Sequence, residues 1–131
     1  MEDKKEEDNI SVLIVDDHKI MRRVITRVIN GHSETNTVGI ASDGEEAIQM
    51  ARKISPQIIL MDINMPVMDG IEATKKIKAT MPKVCIIGLS RNNKKEVINR
   101  MKQAGASAYL NKRKVSEKLV DLIEKEARLR N

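Results

Sequence analysis

Apolar and polar positions along the chain alternate between two periods. The runs SVLIV (11–15) and PQIILM (56–61) are short, β-branched and almost continuously apolar, the pattern of strands buried on both faces of a parallel sheet. Between them the period changes. Over 19–30, Ile20, Met21, Val24, Ile25, Val28 and Ile29 recur along one helical face, and Gly31 closes the stretch. A short run, TVGIA (37–41), leads through Asp43 and Gly44 into 45–53, where Ala47, Ile48 and Ala51 suit a helix with acidic charge in its first turn. Pro56 opens the third strand. Helical patterns follow over 70–79, over 94–104 and from about Val115 onward, interleaved with the strands VCIIGLS (84–90) and ASAYLN (106–111). Five strands thus alternate with five helices. Such alternation with short connections predicts an α/β fold with a doubly wound parallel sheet, because right-handed crossovers leave few other arrangements.

Composition narrows what this fold can carry. A chain of 131 residues, 40% of them hydrophobic, forms one domain with a real core and has no room for a second catalytic domain. Tyr109 is the sole aromatic, so Ile, Val, Leu and eight Met must fill the interior, and stacking on exposed bases is disfavoured. Cys85, the single cysteine, sits inside VCIIGLS and reads as a buried apolar thiol rather than a nucleophile. No run of about 18 apolar residues exists, and the charged start MEDKKEEDN lacks an apolar signal core, so the expected compartment is the cytoplasm and no membrane partner is expected. Residues 1–9 carry five acidic side chains against Lys4 and Lys5 without apolar periodicity. They are expected to be a disordered charged tail, leaving 10–131 as the folded domain.

The candidate chemistry lies at strand ends. Asp16 and Asp17 end the first run and Asp62 ends the third, at the sheet edge where α/β proteins bind ligands. Three converging carboxylates raise at least one pKa or recruit positive charge, and a hard cation with oxygen ligands is the natural remedy. Ser90 closes the fourth strand and Lys112 follows the fifth, adding a hydroxyl and an ammonium to the same rim. Such a set suits a phosphoryl group: a metal and a lysine neutralise its oxygens, the hydroxyl hydrogen-bonds another, and a carboxylate can attack phosphorus.

These residues and their surroundings, IVDDH, MDINMPVMDGIEA, GLS and GASAYLNK, resemble the response-regulator receiver domain of two-component signalling over residues 11 to about 128. The wording leans toward receivers of the LuxR and NarL type, which usually carry DNA-binding domains. The resemblance implies a flavodoxin-like sheet of strand order 2-1-3-4-5. It also implies that Asp62 is the phosphoacceptor, with Asp17 a direct Mg²⁺ ligand, Asp16 a ligand through water, and Asp62 and the Asn64 backbone carbonyl further ligands. Ser90 and Lys112 would grip the phosphoryl group, and Tyr109 matches the switch aromatic that turns inward when the hydroxyl residue moves toward phosphate. Asn64 and Asn92 occupy positions that tune phosphoryl lifetime in the family. Two departures stand out. Arg113 follows Lys112 where the family often has proline, which leaves the loop geometry open, since a cis bond before a non-proline residue costs about 2.5 to 4 kcal/mol. Arg91 stands after Ser90 where alanine is common, placing a long cation near the pocket mouth to slow or steer phosphodonors.

Each residue alone has a plainer reading. Asp16, Asp17 and Ser90 could cap helices, Asp62 could form a turn, Lys112 could be solvated, and Tyr109 could be ordinary core. His18 and His32 read as solvated, with no second His at zinc-ligand spacing. Together the residues predict a phosphorylation-controlled switch that takes its phosphoryl group from a histidine kinase or phosphotransfer protein and catalyses only its own modification. Segment 91–131 holds twelve Lys and Arg against five Asp and Glu, a net of +7, and an acidic downstream protein partner is expected there. Direct nucleic-acid binding by this chain is not expected, since the nineteen residues after Lys112 leave no room for an appended helix-turn-helix. The chain is either an excised receiver or a stand-alone one. Three other classes stay in view: a degenerate receiver acting as a phosphorylation-independent interaction module, a Mg²⁺-dependent phosphohydrolase, and a basic nucleic-acid module. The second commonly needs an acidic residue beside its nucleophile, whereas Ile63 and Asn64 follow Asp62.

Overall fold

The computed structural model describes residues 9–130, so all of the expected charged tail but Asn9 lies outside the described residues. The chain runs β1 (Ile10–Val15), α1 (Lys19–Asn30), β2 (Thr35–Ala41), α2 (Gly44–Ile54), β3 (Ile58–Asp62), α3 (Gly70–Thr80), β4 (Cys85–Ser90), α4 (Lys95–Ala104), β5 (Ala108–Asn111) and α5 (Val115–Leu129). All strand pairs are parallel, in the order β2-β1-β3-β4-β5, as expected of the flavodoxin-like arrangement.

The near-continuous apolar runs are explained by two cores. Successive strand residues point to opposite faces. Leu13, Val15, Ile59, Met61 and Ile86 pack with Ala47, Ala51, Ile71, Ile77 and Met101 of α2, α3 and α4. Val12, Ile14, Ile58, Leu60 and Ile87 pack on the other side with Ile25 and Ile29 of α1 and Leu119 and Ile123 of α5. Both faces of β1, β3 and β4 are therefore dry, and no polar alternation is possible in them. Among the described residues, no helix is long and apolar enough to cross a membrane.

Helix starts follow their caps. The Asp43 and Asp69 side chains accept from the Glu46 and Glu72 amides and set the beginnings of α2 and α3. Three strand starts differ from the sequence expectation by two residues: β2 begins at Thr35 rather than 37, β3 at Ile58 rather than 56, and β5 at Ala108 rather than 106. The fifth strand starts late because Ala106 is committed to ending α4. Gly105, at φ 122°, donates to Lys102 O (3.0 Å) and Ala106 donates to Met101 O (3.1 Å), the bond pattern of a Schellman motif. A 3-10 turn over Lys112–Lys114, with the Asn111 side chain accepting from Arg113 N at 2.9 Å, separates β5 from α5. The described backbone has no cis peptide, so the Lys112–Arg113 bond is trans.

Candidate functional site

The direction of the sheet's winding changes beside β1, which pairs with β2 on one side and β3 on the other, and the crevice beyond the strand ends at that point is where such folds bind ligands. Register carries the polar residues there. Val15 pairs with Met61, so Asp16 follows beside Asp62; Asp62 pairs with Leu89, placing Ser90 one step on; Ser90 pairs with Asn111, placing Lys112 one step further. Asp16, Asp62, Ser90 and Lys112 are all buried.

Ligand atoms of Asp16, Asp17, His18 and Asp62 lie within 4.8 Å of one another. The Lys112 ammonium sits 2.7 Å from Asp16 Oδ2 and 3.1 Å from Asp62 Oδ1. One ammonium against three carboxylates leaves the cluster short of positive charge. Burial, and next the Asp16 charge, push the Asp62 carboxyl up from 3.8 to about 7 against the opposing pull of Lys112. Asp62 Oδ1 takes the Asn64 N–H at 3.3 Å, while the buried Asp62 Oδ2 accepts no hydrogen bond from the described residues. A buried, orphaned carboxylate oxygen among hard oxygen donors fits a divalent cation such as Mg²⁺, which would add the missing charge and occupy the vacant lone pairs.

His18 precedes α1 in the capping position without a side-chain cap bond, and Asp16 Oδ1 instead accepts the His18 amide at 2.8 Å, so neither aspartate serves as the helix cap. Lys94 holds the corresponding position before α4, and Ser90 Oγ accepts the Asn92 N–H at 3.2 Å, so Ser90 does not cap that helix. Lys112 is paired rather than solvated. Tyr109 packs half-buried against the Met101 side of the core, and its hydroxyl donates to the Asn92 carbonyl, tying β5 to the loop after Ser90. His18 is the one departure. Its side chain is 52% exposed, yet Nδ1 lies 3.3 Å from Asp16 Oδ1 and 3.0 Å from Asp17 Oδ1. The ring is drawn in because the Asp16 turn, whose Oδ1 accepts the His18 amide, brings it over the Asp16 and Asp17 carboxylates.

Backbone close to Asp62 is equally constrained. Gly70 opens α3 against the strand end: a Cβ there would stand 2.2 Å from the Asp62 carbonyl oxygen. Val67, 81% exposed, takes φ 68°, and the Met68 N–H donates to Pro66 O at 2.7 Å across it. That conformation is unusual for a β-branched residue. Arg91, exposed, lines a mouth of about 430 Å³ with Asp17, His18, Lys19, Ile20 and Met21. A second groove, of about 490 Å³, lies between Pro56, Ile58, Met81, Val84 and Ala127 at the opposite end of the strands, away from the carboxylates. A contact absent from the sequence reading is Arg22 Nη1 donating to the Asp16 carbonyl at 2.9 Å; the only sequence cue is an arginine one turn into the helix that follows the acidic pair.

Comparison with known proteins agrees with this geometry. The chain is 32% identical over 124 residues to the transcriptional regulatory protein DegU of Brevibacillus brevis, covering 95% of this chain and 52% of DegU. It spans about half the length of such curated relatives. The structure is similar to the response regulator domain of Thermotoga maritima CheB (TM-score 0.86, 30% identity, covering 92% of this chain and 97% of that one). It is also similar to a LuxR-family two-component response regulator from Aurantimonas sp. SI85-9A1 (TM-score 0.88, 30% identity, covering 94% and 88%). Residues 12–124 match the response regulator receiver domain, and the chain belongs to that family.

Proposed function

We propose that this receiver is switched by phosphorylation of Asp62, with a histidine kinase or phosphotransfer protein as donor. The observation that carries the reading is the convergence of Lys112, two further carboxylates and an unpartnered oxygen on the buried Asp62. An Asp62 oxygen attacks the phosphorus of a phosphoimidazole; the P–N bond breaks, the ring nitrogen leaves with the electron pair and takes a proton, and an acyl phosphate remains on Asp62. Phosphoryl transfer of this kind asks for alignment and charge neutralisation more than for covalent help. Lys112 supplies an ammonium already seated between Asp16 and Asp62, and Ser90 supplies a buried hydroxyl one position past the residue paired with Asp62. Asp16, Asp17, Asp62 and the Asn64 carbonyl would hold Mg²⁺, which when bound offsets the charge of the carboxylates and of the incoming phosphoryl oxygens. Water later hydrolyses the acyl phosphate, so the chain's chemistry is confined to its own modification.

The signal leaves through Tyr109. Its hydroxyl reaches the Asn92 carbonyl, and Asn92 in turn donates to Ser90 Oγ, so a shift of Ser90 toward phosphate is passed to β5 and the start of α4. The +7 segment 91–131 suits an acidic protein partner, and the compartment is the cytoplasm. Incubation with Mg²⁺ and acetyl phosphate, followed by intact-mass measurement, should add one phosphate to the parent chain and none to Asp62→Asn. No gain in the parent, with no binding of the phosphate mimic beryllium fluoride, would move the reading to a phosphorylation-independent interaction module. Turnover of small phosphate esters would favour a hydrolase.

A further inference from the structure

Four cations, Lys19, Arg22, Arg23 and Arg27, line a groove of about 510 Å³ between α1 and β2, and one of them behaves differently. Among the described residues, the side chains of Lys19, Arg23 and Arg27 make no hydrogen bond or ion pair, as expected of a solvated helix face. Arg22 is half-buried and turned back over the start of α1, and Nη1 donates to the Asp16 carbonyl at 2.9 Å. That carbonyl belongs to the peptide joining Asp16 to Asp17. The other groups of Asp16 are tied elsewhere: its N–H donates to Ala41 O at 3.1 Å, Oδ1 accepts the His18 amide, and Oδ2 faces Lys112. Arg22 therefore holds the carbonyl end of the peptide plane that sets where the Asp17 side chain departs. Asp17 is only half-buried; its Oδ1 lies 3.0 Å from the exposed His18 ring and its carboxylate shares the cluster with Asp62, so its aim depends on where the backbone sets it.

We infer that Arg22 is a positioning residue for the divalent-cation site, orienting the Asp16–Asp17 peptide so that both carboxylates face Asp62. The inference rests on the proposed function above, since that reading places the cation there. It has an opposite-sign consequence that charge alone cannot mimic. Removing a positive charge near a cation site should tighten cation binding, whereas releasing the peptide should weaken it, and partners that orient metal ligands typically change affinity by about 10- to 100-fold when removed.

The test is Mg²⁺ titration of the full chain by isothermal calorimetry, with amide spectra confirming the fold. Arg22→Gln should raise the Mg²⁺ Kd about tenfold. Arg22→Lys, which keeps the charge and one donor, should recover part of the loss. Arg23→Gln, which removes the neighbouring charge without touching the Asp16 carbonyl, should bind Mg²⁺ as tightly as the parent or tighter. Parental or tighter binding by Arg22→Gln overturns the assignment. Should that variant fail to fold, parental or tighter binding by Arg22→Met, which keeps the apolar stem but neither charge nor donor, overturns it instead. A parent chain that binds no Mg²⁺ removes the proposed function along with this inference, whereas parental binding with undiminished variants removes only the inference.

Discussion

At the scale of single residues, Asp62 pays for its position in stability. Its pKa is about 7 in the folded chain against 3.8 for a free carboxyl, because of burial first and the Asp16 charge next. Below pH 3.8 it is protonated in both states and its contribution to stability is fully present. Between the two values the folded chain keeps a proton that the unfolded chain has released, so this contribution is lost as pH rises through about 7. Asp62→Asn removes that loss. In EDTA, its denaturation midpoint should exceed the parent's at pH 8 and converge toward it at pH 4; a parent that gains on the variant from pH 4 to pH 8 contradicts the mechanism. Val67 is a second strained residue, at φ 68° with its side chain in solvent. Glycine takes positive φ without the Cβ penalty, and Val67→Gly should add about 1 kcal/mol of stability. An unchanged or lower urea midpoint would show that the turn is not strained. The sequence foretold a raised pKa somewhere among the three carboxylates but not that Asp62 would carry it, and Val67 read only as a loop residue.

At the scale of elements, the helices and strands were mostly legible, because both cores impose strong periods on the chain. Helix α1 spans Lys19–Asn30, as its apolar period and the closing Gly31 predict, but of the six apolar residues expected on its face only Ile25 and Ile29 are buried, while Ile20 and Val24 are exposed. The fifth strand and the Lys112–Lys114 turn were less so. Ala106 and Ser107 look like strand residues, but the end of α4 claims the Ala106 amide. The turn carries KRK, which has no period, and is held by the Asn111 side chain. The junction of β3 with α3 depends on Gly70 having no Cβ. Gly70→Ala would put a methyl 2.2 Å from the Asp62 carbonyl oxygen and 2.9 Å from Ile63 Cα, both backbone atoms that no rotamer change can move. A loss of about 2 kcal/mol or more is expected, together with slower phosphorylation by acetyl phosphate, because the strand end bearing Asp62 has to shift. Equilibrium unfolding and phosphorylation kinetics on the same variant check both halves, and a parental rate in a destabilised variant would separate the junction from the site.

At the scale of the whole molecule, a cation held at the proposed site would be linked to folding. The pocket draws on β1, β3 and the end of β5, so it exists only when the sheet is assembled, and a cation bound there stabilises the fold by mass action. At free Mg²⁺ about 100-fold above its Kd the gain is about 2.7 kcal/mol, which raises Tm by several degrees. That rise should be absent in Asp17→Asn; an equal rise in both would place the cation elsewhere. The sequence by itself determined the α/β alternation, the two dry cores and the residue types at the strand ends, because periodicity and composition act locally and are written in order along the chain. It also carried the family resemblance through Asp16, Asp17, Asp62, Ser90 and Lys112. Only the tertiary structure decided how those groups meet. Strand register set Lys112 between Asp16 and Asp62 and left one Asp62 oxygen unpartnered, and the return of α1 over the first loop brought His18 and Arg22 to the acidic pair. Distances between side chains far apart in the chain are fixed by packing, which no local pattern records.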